Sequence, residues 1–231
     1  MSFGAPHRHY RLTDSTNARA RELVETGALG GTVVTATEQT AGRGRQGRSW
    51  TAPPGKGLLY SAILRPLDQR HLLLPLAVPI AVCEAAEELA PGVECAIKWP
   101  NDVWVEGRKL AGVLIEAKPQ DSWAVIGVGL NLSIAADEFP PDLRDKAVSL
   151  FGATPPTAAA ALNRQLARWV DAPREQVLAT WRSRDALLGR EIAWQGGKGV
   201  ADGIEDSGDL VVVAAGGDRV VLGAGEVHLR L

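Results

Sequence analysis

With 231 residues, 45% of them hydrophobic, the chain can bury one substantial core and carry a small second domain. Its formal net charge of −2 excludes a protein whose whole surface addresses nucleic acid or an anionic membrane, so any positive field must be local. Two cysteines, Cys83 and Cys95, are too few for a disulfide framework or a four-ligand zinc site and read as reduced core residues.

In chain order, residues 9–12 read as a short strand. Asp14-Ser-Thr-Asn17 then supplies cap residue types for a helix over 18–25, stopped by Gly27 and the Gly30-Gly31 pair. Residues 32–37 are β-branched and strand-like. A loop, Gln39-Thr-Ala-Gly-Arg-Gly-Arg-Gln-Gly-Arg-Ser-Trp50, runs on through Pro53-Pro54 into a strand over 58–64. A mostly apolar helix covers 75–89, with Pro75 near its start and Pro79 able to bend it. This apolar region is too short to span a bilayer, the N-terminus has no apolar signal core, and a cytoplasmic protein is expected.

Strands follow over 95–99, 103–105 and 110–117, the last two joined by a tight Glu106-Gly107 turn. Another covers 123–132. A proline-containing connector over 140–156 leads to helices over 157–170 and 174–188. Beyond Arg190, short β runs over 191–194, 199–204, 210–214, 219–222 and 227–231 alternate with Gly and Asp turns, the pattern of a small all-β barrel.

The loop over 39–50 is the most informative stretch. Between Gly42 and Arg48, three glycines alternate with three arginines and no acidic residue intervenes. Glycine lets backbone N–H groups approach a ligand, arginine forks match carboxylates and phosphates, and Trp50 offers a face on which a base can stack. An anionic ligand with an aromatic end, such as a nucleotide, fits this composition. No Gly-Lys-Ser/Thr follows, so the loop is not a Walker A sequence, and it opens no helix as a dinucleotide fingerprint would.

Other residues read two ways from the sequence. Asn101 and Asp102, after Lys98-Trp-Pro100, either stabilise a turn or carry function at a strand exit. Lys109 either snorkels at the surface or faces a ligand. Gly112, Gly127 and Gly129 interrupt apolar strands, as a bulge or a close approach would require. The 14–17 cluster either caps a helix or grips a polar ligand. The four histidines show no ligand spacing, and no Gly-x-Ser-x-Gly elbow occurs.

Taken in order, Asp14-Ser-Thr-Asn17, Gln39 with the Gly42–Trp50 loop, Lys98-Trp-Pro-Asn-Asp102, Lys109-Leu-Ala-Gly112 and Gly127-Val-Gly-Leu-Asn131 resemble the biotin–protein ligases, also called biotin–acetyl-CoA-carboxylase ligases. One departure is Gln46, where many members carry another basic residue. The resemblance implies an α+β fold: a mixed-sheet catalytic domain flanked by helices over 1–188, and an SH3-like barrel over 189–231. It also implies the form without an N-terminal DNA-binding module, since the Ser-Thr-Asn motif begins at residue 15.

The implied chemistry joins biotin to MgATP as biotinyl-5′-AMP, then transfers biotin to a lysine of a carboxylase biotin carrier domain. Lys109, Arg43 and Arg45 are the expected catalytic groups. The resemblance assigns biotin to Ser15, Thr16, Asn17, Gln39, Arg43, Gly44, Arg45, Lys109 and Gly112. ATP falls to Arg45, Arg48, Trp50, Asn101, Asp102, Lys109 and Asn131, with Asp102 a candidate for magnesium. No DNA or membrane partner is expected, and either a monomer or a homodimer fits. Lipoate– or octanoate–protein ligases and transferases share the fold and are the alternative; they lack this Gly/Arg loop followed by Trp. A nucleic-acid-binding domain using the arginines is disfavoured by the acidic net charge.

Overall fold

The computed structural model describes residues 1–223, 225 and 227–229. Its larger sheet has seven strands: β1 (His7–Thr13), β2 (Val33–Gln39), β3 (Gly57–Leu64), β4 (Cys95–Lys98), β5 (Asp102–Val105), β6 (Arg108–Lys118) and β7 (Trp123–Asn131). Their order is β1-β2-β3-β7-β6-β5-β4. Only β1 and β2 run parallel, so the sheet is mixed, as expected. Four helices accompany it: α1 (Thr16–Glu25), α2 (Leu74–Leu89), α3 (Pro155–Trp169) and α4 (Arg174–Ser183).

The period-2 alternation of side chains explains the layering. All eight residues of β3 are buried, because helices cover both faces of this central strand. Ile63 points to one side, into a small core with Ala20 and Val24 of α1 and with Val34, Trp123 and Val125. Leu58, Tyr60, Ala62 and Leu64 point to the other, into the main core built on α2, α3 and α4. Burial pushes the Tyr60 phenol far up, and its hydroxyl donates to Asn163 of α3 at 2.7 Å. The Glu106-Gly107 turn forms as its composition predicts, with φ of 50° and 75° at its two residues.

Helix α4 ends earlier than its pattern predicts. Residues 184–187 leave the helix and line the free edge of β4: Ile97 N donates to Arg184 O at 2.7 Å, and Ala186 N to Ile97 O at 2.9 Å. An exposed sheet edge with unpaired backbone groups outcompetes one further helical turn.

The C-terminal region is corrected more substantially. Strands β8 (Glu191–Trp194), β9 (Gly197–Ile204), β10 (Leu210–Ala214), β11 (Arg219–Leu222) and β12 (His228–Leu229) form an antiparallel sheet in the order β11-β10-β9-β8-β12. It is open, not the expected SH3-like barrel. β11 and β12 lie at opposite ends, and among the described residues no ladder joins them. Closure needs a continuous ring of pairings, whereas among the described residues β12 meets β8 at two positions. Alternating short strands look the same in sequence for an open sheet and a closed one. Of the expected last strand, Arg230 and Leu231 lie outside the described residues. Ile192, Ala201, Ile204, Leu210 and Val212 of this second sheet share the main core with α2. No described helix is long and apolar enough to cross a membrane.

Candidate functional site

The Gly/Arg loop folds back on itself. Arg43 and Ser49 form an antiparallel bridge, Trp50 N donates to Gly42 O at 3.0 Å, and Gly44 N to Arg48 O at 2.7 Å. The tip is a single turn in which Gln46 and Gly47 both have positive φ, 54° and 75°. Only Gly is free of strain there, so Gln46 carries a backbone cost. Gly42 is required by packing: a Cβ would stand 2.3 Å from Trp50 O.

A cavity of about 900 Å³ opens between this loop and β6, lined by residues 41–49, by Pro75, Pro100 and Asn101, and by residues 113–116. Arg43, Arg45 and Arg48 therefore ring one hollow. Burial lowers the pKa of the Arg45 guanidinium; Asp102 opposes the shift and Arg48 adds to it. Arginine stays charged regardless, so its burial is a cost that a bound anion would offset.

Trp50 leaves the loop and lays its indole on the sheet. A Cβ on Gly129 would sit 2.2 Å from the indole Cε2, and one on Gly112 would sit 3.1 Å from Cζ3. These two glycines are direct partners in the β6–β7 ladder and make a flat shelf for the ring. Its Nε1 is buried against Gly129 without a hydrogen-bond partner among the described residues. Lys109 Nζ lies 5.7 Å from the centre of the same indole and 2.7 Å from Asp102 Oδ1. The β5–β6 hairpin thus brings Lys109 to Asp102, and the Gly/Arg loop lays Trp50 beside the lysine.

The third component is the N-terminal corner of α1. Ser15, Thr16 and Asn17 are all buried. The Ser15 side chain makes no capping bond, and Gln39 Oε1 takes the Thr16 N–H instead, at 2.7 Å. Asn17 lies across β7 at Gly127, where a Cβ would strike its Oδ1 at 2.2 Å. Its Nδ2 donates to Glu116 Oε2 at 2.8 Å.

The two remaining asparagines have local work. Asn101 Nδ2 donates to Val113 O at 2.8 Å, while the Asn101 backbone carbonyl accepts from Val113 N at 3.0 Å. Asn131 Nδ2 reaches Val148 O at 3.1 Å and Lys109 O at 3.4 Å, tying residues 146–150 to the shelf. Glu116 was not singled out from the sequence, where it looks like one more solvated strand residue. It faces the cavity between Arg21 at 3.5 Å and Arg43 at 3.8 Å. A carboxylate ending the apolar run 110–115 is the one signal that could have drawn attention to it. Among the described residues no three metal-binding side chains cluster. Asp102 is a lone carboxylate already paired with Lys109, suited to an ion that arrives with phosphates rather than to a resident metal.

Comparison with known proteins bears on this arrangement. Residues 10–133 match the biotin/lipoate A/B protein ligase family. The chain is 37% identical to the biotin–[acetyl-CoA-carboxylase] ligase of Mycobacterium tuberculosis over 94% of its own length and 87% of that protein. It is 40% identical to the bifunctional ligase/repressor BirA of Bacillus spizizenii over 62% of its length, which is 45% of the relative's. Thus the chain spans about half the length of the Bacillus relative. The biotin protein ligase of Aquifex aeolicus, solved with biotin and ATP, superposes with a TM-score of 0.83 at 28% identity, covering 98% of this chain and 99% of that one. With its motif-bearing half matched by the family model and nearly its whole length by a ligase relative, the chain belongs to the biotin/lipoate A/B protein ligase family.

Proposed function

We propose that this protein is an ATP-dependent biotin–protein ligase of the cytoplasm that modifies a lysine on a carboxylase biotin carrier domain. The observation that carries this reading is the ring of Arg43, Arg45 and Arg48 on one cavity, with Trp50 and its Lys109 following the lining residue Ser49 and the polar corner of α1 joined through Asn17 to the lining residue Glu116. In the first step a biotin carboxylate oxygen attacks the α-phosphorus of ATP and the bond to pyrophosphate breaks. Two anions must meet, and like charges about 4 Å apart repel by roughly 4 kcal/mol at an effective dielectric near 20. Arg43, Arg45 and Lys109 offset that repulsion as fixed cations, Arg48 faces the nucleotide phosphates, and Trp50 stacks on the adenine.

Magnesium would enter with the phosphates and neutralise part of their charge, with Asp102 the nearest carboxylate. Ser15, Thr16, Asn17 and Gln39 bind the ureido ring, and Gly44 and Gly112 let the ligand approach the backbone. Asn101 and Asn131 contribute by holding β6 and the 146–150 segment in place around the nucleotide. In the second step the carrier lysine amine attacks the acyl carbon, loses a proton and expels AMP. Residues 1–188 carry this chemistry, and residues 189–231 form a supporting unit.

The test is ATP–pyrophosphate exchange with biotin, lipoate and octanoate offered separately. Exchange dependent on biotin is expected. Exchange with lipoate or octanoate alone would transfer the protein to the other branch of the family, and none with any of the three would remove the ligase reading.

A further inference from the structure

We propose that Glu116 is a positioning residue that aims Arg43 into the cavity and ties the Gly/Arg loop to β6. For its catalytic consequence the proposal rests on the biotin reading above. Among the described lining residues Glu116 is the one acidic side chain, set in the same wall as Arg43, Arg45 and Arg48. Taken as charge alone, a carboxylate beside a hollow for carboxylates and phosphates repels the ligand. Its contacts give it a different task.

The two oxygens of Glu116 are divided between helix and loop. Oε2 accepts from Asn17 Nδ2 at 2.8 Å, while Oε1 lies 3.5 Å from Arg21 Nη1 and 3.8 Å from Arg43 Nη1. Asn17 and Arg21 both belong to α1, so the helix fixes the carboxylate from one side. β6 fixes it from below, in the ladder opposite Val125 of β7. Arg43 is anchored by its own backbone, bridged across the loop to Ser49. An ion pair between two free, long side chains gains little, because ordering them offsets the attraction. Here both partners are held before they meet, and the Glu116 side chain is only 27% exposed. The contact to Arg43 is also the looser of the two arginine contacts. Arg43 is therefore aimed without being locked, and Arg21 keeps Glu116 compensated when Arg43 turns to an incoming anion.

The experiment measures biotin-dependent pyrophosphate exchange and tryptic cleavage of the ligand-free protein. Wild type is compared with Glu116→Gln, Glu116→Asp, Arg43→Ala and the Arg43→Ala/Glu116→Gln double variant. Glutamine keeps an acceptor for Asn17 and drops the charge; aspartate keeps the charge and withdraws it from Arg43. Positioning predicts that both lower kcat/KM about fivefold, the scale of a partly exposed ion pair. Charge alone predicts the reverse for Glu116→Gln, a faster reaction, and no change for Glu116→Asp. Adding Glu116→Gln to the already slow Arg43→Ala should cost nothing more. Trypsin cuts after arginine, so a loop released from β6 should be cleaved at Arg43, Arg45 or Arg48 several times faster in both Glu116 variants, with their melting temperatures close to wild type. A rate at or above wild type in folded Glu116→Gln, wild-type behaviour of Glu116→Asp, additive losses in the double variant or unchanged cleavage overturns the proposal. Absence of exchange in wild type removes the biotin reading instead, and the cleavage rates then decide by themselves whether Glu116 holds the loop.

Discussion

Lys109 meets opposite demands from its two neighbours. Asp102 at 2.7 Å neutralises it, while the Trp50 face accepts its charge at 5.7 Å. A cation between a carboxylate and an aromatic face is already oriented before a second anion arrives, so little reorganisation is needed when charge develops nearby. Lys109→Met keeps the apolar stem and should slow adenylate formation on the order of a hundredfold or more while leaving the melting temperature within a few degrees. Single-turnover formation of biotinyl-AMP measures this. Adding Asp102→Asn tells whether the loss comes from the missing cation or from the carboxylate left unpaired. Recovery of the rate in the double variant would assign the whole effect to Asp102.

At the scale of elements, the segment after α4 shows how a sheet edge can recruit chain. Residues 184–186 pair with β4 through Ile97, and this places Asp185 in a poor environment. Its Oδ1 accepts from Leu187 N at 2.8 Å, but Oδ2 is buried with no partner among the described residues. Burial accordingly raises the Asp185 pKa, with the backbone bonds of Leu187 and Leu188 opposing. A folded-state pKa raised above the unfolded value means that stability is greatest at low pH and falls as pH rises through the unfolded and then the folded value. Asp185→Asn keeps the acceptor and removes the charge. It should raise the melting temperature at pH 7 by roughly 2–4 °C and have no effect near pH 3. Melting curves of both proteins across that range decide the matter, and an equal effect at both pH values would place the cause elsewhere.

At the scale of the whole molecule, the two sheets share one apolar core. Trp99 Nε1, at the end of β4, donates to Gly208 O in the β9–β10 turn at 3.1 Å, and Leu76 of α2 packs beneath Gly208. Arg182 of α4 reaches Ile204 O at 3.2 Å and Asp206 Oδ1 at 2.8 Å in the same turn. We therefore expect the second sheet to unfold together with the first rather than ahead of it. Leu76→Ala should cost about 2–5 kcal/mol and move the whole denaturant transition as one. Far-UV circular dichroism and tryptophan fluorescence should give coincident midpoints. A separate early phase carrying the signal of the C-terminal strands would show two independent units.

Much of the molecule was legible locally, because strand and helix periods, cap residues and turn glycines act over a few residues. The strand β3, the Glu106-Gly107 turn and the Gly/Arg loop all belong to this class. So does the shelf at Gly112 and Gly129, although it is Trp50 itself that lies on it. The end of α4, the open second sheet and the place of Glu116 belong to another class. Asn17 and Glu116 stand ninety-nine positions apart, and no local pattern marks them as partners. Which edge finds a strand, whether a sheet closes and which carboxylate faces a cavity depend on pairings made only when distant segments meet. Conformational preference is a property of neighbours in the chain, and hydrogen-bond partnership of neighbours in space. The residue types of the site were therefore set by the sequence, and their polarity and mutual orientation by the tertiary structure alone.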